Sequence, residues 1–193
     1  MDKQGFRLVL VLTIICIIAG GVLALVNSIT EPKIKAQAAL AMEKAIKKET
    51  LPEASEFRSN NSLLEKAREA GNTELSELFI GFKGEEEIGL VLITDIQGYS
   101  SVIKLVTGVS RDGRVTGVKV LSQSETPGLG SRISEKEFVG QPAFKQATIE
   151  DKLSVVKDGG SVQAVTGATI SSRAVVKGVN QSLATARLYM KKD

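Results

Sequence analysis

Residues 164–176 read AVTGATISSRAVV, a stretch that gathers two threonines, a glycine and two serines ahead of an apolar helical pattern. Capping a helix needs one hydroxyl, because a single side-chain oxygen accepts from a backbone N–H of the first turn. The simplest reading gives that role to Ser171 or Ser172 and the bend to Gly167, and it leaves Thr166 and Thr169 without a task. Arg173 then falls in the first helical turn, where a cation opposes the helix dipole by about 0.3–1 kcal/mol. An anion bound at the helix mouth reverses that sign. Hydroxyls, unpaired N–H groups and an arginine together describe a phosphate site. The alternative is that Arg173 extends into water.

A second loop offers different chemistry. Glu125-Thr126-Pro127-Gly128-Leu129-Gly130 follows the second strand of an expected hairpin. Proline presets φ and glycine takes positive φ, so Pro127-Gly128 forms the centre of a type II turn. A strand-ending turn accounts for those two residues and leaves Thr126, Leu129 and Gly130 unexplained. A second glycine after one apolar residue lets backbone approach something closely, and Leu129 offers a flat apolar contact for a ring. A turn and nothing more is the competing reading.

The rest of the chain limits what these loops can do. Its 193 residues include no histidine, which excludes histidine-based triads, zinc sites with histidine and axial-histidine haem. The single cysteine, Cys16, lies inside an apolar run, where its role is packing in a membrane. Alone it cannot form a disulfide within the chain or hold an iron–sulfur cluster. No metal site is expected. If the protein does redox work, an organic cofactor must carry it. A net charge of +3 leaves the domain nearly balanced, which argues against a nucleic-acid partner.

The elements that position the loops follow from the hydropathy pattern. Residues 8–26, LVLVLTIICIIAGGVLALV, are nineteen residues with Thr13 as the one polar side chain. At helical rise they span roughly 28 Å, one bilayer core. The apolar core of a cleaved signal is usually roughly 7–15 residues, so the segment reads as a permanent anchor. Lys3 and Arg7 precede it while Lys33 and Lys35 follow it, so charge alone does not orient it. A long domain can cross largely regardless of charge, which makes a short tail inside and the domain outside reasonable.

Thr30 is placed to cap a stalk helix with Glu31 and Pro32 in its first turn. Ile34, Ala38, Met42, Ala45 and Ile46 recur at helical spacing, and Leu51-Pro52 end the helix. SEFRSNNS reads as a loop by composition and SLLEKAREAGN as a short helix closed by Gly71. From Glu87 the period changes. IGLVLITDI is a strand broken by Gly98-Tyr99, and SVIKLVTGVS and RVTGVKVLS flank the hairpin turn Arg111-Asp112-Gly113. EKEFVGQPAFKQA is a helix broken at Pro142, and KLSVV a short strand. Ser172 to about Met190 is an amphipathic helix with Val175, Val179, Leu183, Ala186 and Met190 on one face. The fold class is α+β, with a central antiparallel sheet and flanking helices on one N-terminal membrane helix.

VTGATISS resembles the covalent-FMN attachment motif, S/T-G-A-T/S, of FMN-binding domains in membrane-bound respiratory ion pumps, and ETPGLG resembles their companion motif. With the hairpin and the single span, the chain is similar to the G subunits of Rnf-type ion-translocating ferredoxin:NAD+ oxidoreductases. The C subunits of sodium-translocating NADH:quinone oxidoreductases are the alternative, and a separate covalent-FMN electron carrier would share the same motifs. A non-redox module that holds an unmodified anionic ligand is a further rival.

The resemblance implies that the Thr169 hydroxyl is esterified to the FMN phosphate, with Thr166, Gly167 and Ala168 shaping the loop. It also implies that Glu125, Thr126, Gly128, Leu129 and Gly130 face the flavin. Ser171 and the helix end would solvate the phosphodiester, and Arg173 would balance its charge. One position departs from the pattern: an aspartate often stands three residues before the first hydroxyl of such motifs, where this chain has Gln163. The implied partners are the other membrane and redox subunits of an Rnf-type complex and a flavin transferase. The implied organisation is a short cytoplasmic tail and transmembrane helix (residues 1–30), a stalk helix (31–52) and an extracytoplasmic FMN-binding domain (53–193). The implied location is the cell membrane.

Overall fold

The computed structural model describes residues 3–44 and 49–191. The chain divides into two compact units, Met1–Leu40 and Ala41–Asp193.

The first unit is helical. Helix α1 runs over Lys3–Lys44, and its segment Arg7–Ile34 is long and apolar enough to cross a membrane. The one polar side chain of the apolar run is satisfied within the helix, since the Thr13 hydroxyl donates to the Val9 carbonyl at 2.8 Å. That matters in lipid, where water offers no alternative partner. Thr30 does not begin a second helix. Its hydroxyl donates to the Val26 carbonyl at 2.7 Å, and the helix continues through Pro32. Proline removes one backbone donor from the helix interior, yet the helix runs on past it to Lys44. Ile34, Ala38 and Met42 lie in this same helix. Ala45 and Ile46 fall outside the described residues.

The second unit is built on a five-stranded antiparallel meander, β1 (Glu56–Ser59), β2 (Leu75–Lys83), β3 (Glu86–Gln97), β4 (Val102–Ser110) and β5 (Val115–Ser122), paired in chain order. Helix α2 (Asn61–Glu69) connects β1 to β2, capped by the Asn60 side chain, which accepts from Leu63 N. Gly71 follows at φ +97°.

Alternation along the strands sorts the core into two layers. Leu90, Leu92 and Ile96 of β3 join Ile103, Leu105 and Val109 of β4 on the face that receives the helices. Val91, Ile93 and Val106 pack with Leu51 on the other face. The long C-terminal helix α5 (Thr169–Met190) buries Val175, Val179, Leu183 and Ala186 against the first layer. Short helices α3 (Lys136–Val139) and α4 (Pro142–Lys145) break at Gly140-Gln141, as Pro142 at the start of α4 requires.

Two segments differ from the sequence expectation. Glu56–Ser59 is an edge strand and not part of a loop; it pairs on one side only, so its polar composition carries no strand signature. KLSVV is not a strand. Leu153 finds both backbone partners on one side chain, its N–H donating to Asn180 Oδ1 and its carbonyl accepting from Nδ2, each at 2.8 Å. A side-chain amide supplies what a neighbouring strand would. Only a single parallel bridge, Val155 to Val162, remains.

On the sheet face opposite α5, Gly108 and Gly117 stand opposite each other and form a slot for the backbone of Glu49 and Thr50. A Cβ at Gly108 would collide with the Thr50 carbonyl, and one at Gly117 with that of Glu49. Backbone cannot give way as a side-chain end can. Gly108→Ala is therefore expected to lower the unfolding free energy by about 1–3 kcal/mol, read from the midpoint of urea denaturation. An unchanged midpoint would mean that the segment does not lie in this slot.

Candidate functional site

Three segments converge at one end of the sheet: the β3–β4 turn at Gly98–Ser101, the ETPGLG loop after β5, and the mouth of α5. A single carboxylate joins them. Glu125 is buried, at 5% exposure. Its Oε1 accepts from the backbone N–H of Ser100 (3.0 Å) and Ser101 (2.9 Å) and from the Ser101 hydroxyl (3.1 Å). Its Oε2 accepts from Tyr99 N–H (3.2 Å) and from the Ser171 hydroxyl (2.6 Å). Burial by itself pushes the carboxyl upward. The hydrogen bonds from Ser171, Ser100 and Ser101 outweigh it, so Glu125 titrates below the usual value of 4.5.

This arrangement explains the second glycine of the loop. A Cβ at Gly130 would stand 2.8 Å from Glu125 Oε2 and 3.0 Å from Ser171 Oγ. What approaches Gly130 closely is the carboxylate–serine bond. Gly98 is constrained in the same way, since a Cβ there would stand 2.6 Å from Glu125 Oε1. The turn between them forms as its residues dictate: Leu129 N–H donates to the Thr126 carbonyl at 3.1 Å, with Gly128 at φ +73°.

The mouth of α5 differs from the sequence expectation. The helix begins at Thr169, with Ala168 in the capping position and no side chain capping it. Neither serine caps. Ser171 is taken by Glu125, and the Ser172 hydroxyl donates to the Ala168 carbonyl (2.9 Å) while accepting from Val165 N–H (3.0 Å). The first N–H groups of α5 are left without a side-chain acceptor, and the half-buried Thr169 hydroxyl sits among them.

These segments enclose an open pocket of about 460 Å³, within the range of small-molecule sites. Glu125, Thr126, Leu129, Gly130, Gly167, Ala168, Thr169 and Ser171 line it, together with Tyr99, Lys157 and Ile170. Leu129, Tyr99 and Ile170 are apolar or aromatic and yet 46%, 68% and 50% exposed, so this rim is a surface of the kind a flat ring would cover. Gly167, at φ +78°, meets Leu129 where the two loops touch.

Three expected residues lie elsewhere. Gly128 shapes the turn without lining the pocket. Thr166 lines a neighbouring depression with Gln163, whose backbone N–H and carbonyl are clipped by the Gln141 side chain at 2.8 and 2.9 Å. Arg173 is not aimed at the helix mouth. It makes a two-point ion pair with Asp158, at 2.7 and 2.6 Å, and the guanidinium holds that carboxyl below its usual range. The physical reason is the earlier start of α5: Arg173 falls one turn further in and faces the 3-10 turn at Val156–Asp158. The sequence reading missed Tyr99, Ile170 and Lys157. Tyr99 had a signal, since it follows the strand-breaking glycine. Lys157 had none.

The profile of the FMN-binding domain family matches residues 98–184, and that of the RnfG N-terminal region matches residues 1–48. The G subunit of the Na(+)-translocating ferredoxin:NAD(+) oxidoreductase complex of Acetobacterium woodii is 34% identical over 190 residues, covering 94% of this chain and 91% of that protein. The proton-translocating counterpart of Clostridium ljungdahlii is 34% identical over 175 residues, with 89% and 86% covered. The G subunit of the ion-translocating oxidoreductase complex of Methanosarcina acetivorans is 32% identical over 187 residues, with 94% of each chain covered. The chain belongs to this family, the G subunits of ion-translocating oxidoreductase complexes.

The fold is shared with the C subunit of the Na(+)-translocating NADH-quinone reductase from Parabacteroides distasonis. The TM-score is 0.55 at 20% identity, over 72% of this chain and 79% of that one. NqrC of Shewanella oneidensis gives 0.50 at 23% identity, over 61% and 62%.

Because the folded pKa of Glu125 is depressed, its contribution to stability is whole above about pH 4.5, the ordinary value, and is lost as pH falls through the folded value. Glu125→Gln turns an amide N–H₂ toward the N–H donors and is expected to cost roughly 2–4 kcal/mol at pH 7. Urea denaturation across pH 3–7 should show the wild-type advantage shrinking as the acid end is approached. An advantage that stays constant with pH would remove the charge from this account.

Proposed function

We propose that this protein is a membrane-anchored flavoprotein subunit that carries FMN on Thr169 and passes electrons within an ion-translocating ferredoxin:NAD+ oxidoreductase. The observation that carries the reading is the Thr169 hydroxyl, half-buried at an uncapped helix mouth and opening onto a pocket with an apolar rim. A phosphate needs the helix end, and an isoalloxazine needs a flat wall. Leu129, Tyr99 and Ile170 supply the wall, and the residues fit the group. When bound, the flavin supplies electron-transfer chemistry, while the protein contributes position and polarity.

Attachment joins the Thr169 Oγ to phosphorus. The anhydride bond of an activated flavin phosphate breaks, and its other phosphate departs with the hydroxyl proton, a step assigned to a flavin transferase. The tether has a physical purpose. We place the domain outside the cytoplasm on the α1 anchor, where no FMN pool exists to replace a cofactor lost by dissociation. Gln163 stands where related motifs often carry aspartate, and we assign that neighbourhood to transferase recognition. The electron partners are the other subunits of the complex.

Full-length protein made beside a flavin transferase should gain the mass of FMN less one water, and its fluorescence should survive denaturing electrophoresis. Thr169→Val should lose both signals. Covalent flavin that persists in Thr169→Val would move the attachment elsewhere.

A further inference from the structure

The Lys157 ammonium stands 3.3 Å from the Thr169 hydroxyl oxygen, across the mouth of α5. Among the described residues it is the one cation lining this pocket. The backbone that carries Lys157 is fixed by the residues around it. Val155 is buried in the core, and Val156–Asp158 form a 3-10 turn closed by Gly159 in the left-handed conformation, φ +80°. Val156 N–H donates to the Val162 carbonyl at 2.9 Å and Gly160 N–H to that of Val155 at 3.1 Å. Asp158, the next residue, then grips Arg173 on α5 with both carboxylate oxygens.

We propose that Lys157, and not Arg173, recognises the flavin phosphate. The proposal rests on the reading of Thr169 as the flavin site. The charge balance around the pocket supports this division. A phosphate reaching for Arg173 would have to displace a carboxylate already matched to both guanidinium nitrogens, the strongest geometry an arginine offers. Glu125 is committed to its five donors. Lys157 has three N–H donors; the Thr169 oxygen takes one, which leaves two for the non-bridging oxygens of a phosphate beside it. A phosphodiester keeps one negative charge, which one lysine balances, and the dipole of α5 favours an anion at the same place.

Free ligands test this without the covalent bond. In full-length chains that carry Thr169→Val, equilibrium dialysis in detergent micelles would compare FMN with riboflavin, the same ring without the phosphate. The parent should prefer FMN. Adding Lys157→Met should reduce that preference about tenfold with riboflavin affinity unchanged, and Lys157→Arg should restore most of it. Replacing Asp158→Asn and Arg173→Met together removes an exposed ion pair and should change the preference no more than about threefold. Full preference retained in Lys157→Met, or equal binding of FMN and riboflavin by the parent, overturns the proposal while flavin binding itself stands. A parent that binds neither flavin, from a chain that gains no flavin mass when Thr169 is intact, overturns the flavin reading along with it.

Discussion

The buried Glu125 carboxylate is the constraint on which the site depends. An ionised carboxylate taken out of water costs several kcal/mol unless donors replace the lost solvation. Here five donors do so, drawn from the β3–β4 turn and from the first turn of α5. A charge with that many partners cannot move far from any of them. The ETPGLG loop, the tight turn at Gly98–Ser101 and the helix mouth are therefore one rigid unit, although they are far apart in sequence. The glycines at 98 and 130 are the geometric condition for it, because either Cβ would occupy the space of the carboxylate.

Consequences pass from that bond to the pocket. Ser171 is spent on Glu125 and does not cap α5, so the helix mouth stays open for an anion. The Pro127-Gly128 turn, anchored at Glu125, presents Leu129 to the rim instead of the core. Arg173 and Asp158 neutralise each other, and Lys157 is left facing Thr169. A flavin held by both ends, as proposed, needs an anion pole and an apolar wall at fixed separation, and in that reading one buried carboxylate sets the separation.

How much of this was legible in the sequence depended on whether a local pattern carried it. Strands β3 to β5 were readable from apolar runs around Asp112-Gly113, and α5 from its spaced apolar face. Strand β2 was not, because irregularities at Leu75/Glu77 and Gly81/Phe82 break the period-two pattern. The polar edge strand β1 resembled a loop, and Leu153 satisfied its backbone through Asn180 in place of a strand partner. At the site, the two glycine-containing loops announced themselves through turn chemistry. The Glu125–Ser171 bond joins residues far apart in the chain, and nothing local in either loop marks it. Lys157 is one lysine among many until the 3-10 turn places it over Thr169.

The most direct test of this account is localisation of the flavin by proteolysis and fragmentation mass spectrometry of full-length protein matured with a flavin transferase. Cleavage after Lys157 and after Arg173 releases residues 158–173, which contain Ser161, Thr166, Thr169, Ser171 and Ser172. The account predicts that this peptide alone carries the FMN phosphoryl mass, with fragment ions placing it on Thr169. Flavin on Thr166 or a serine of the same peptide, or on any other peptide, would contradict it.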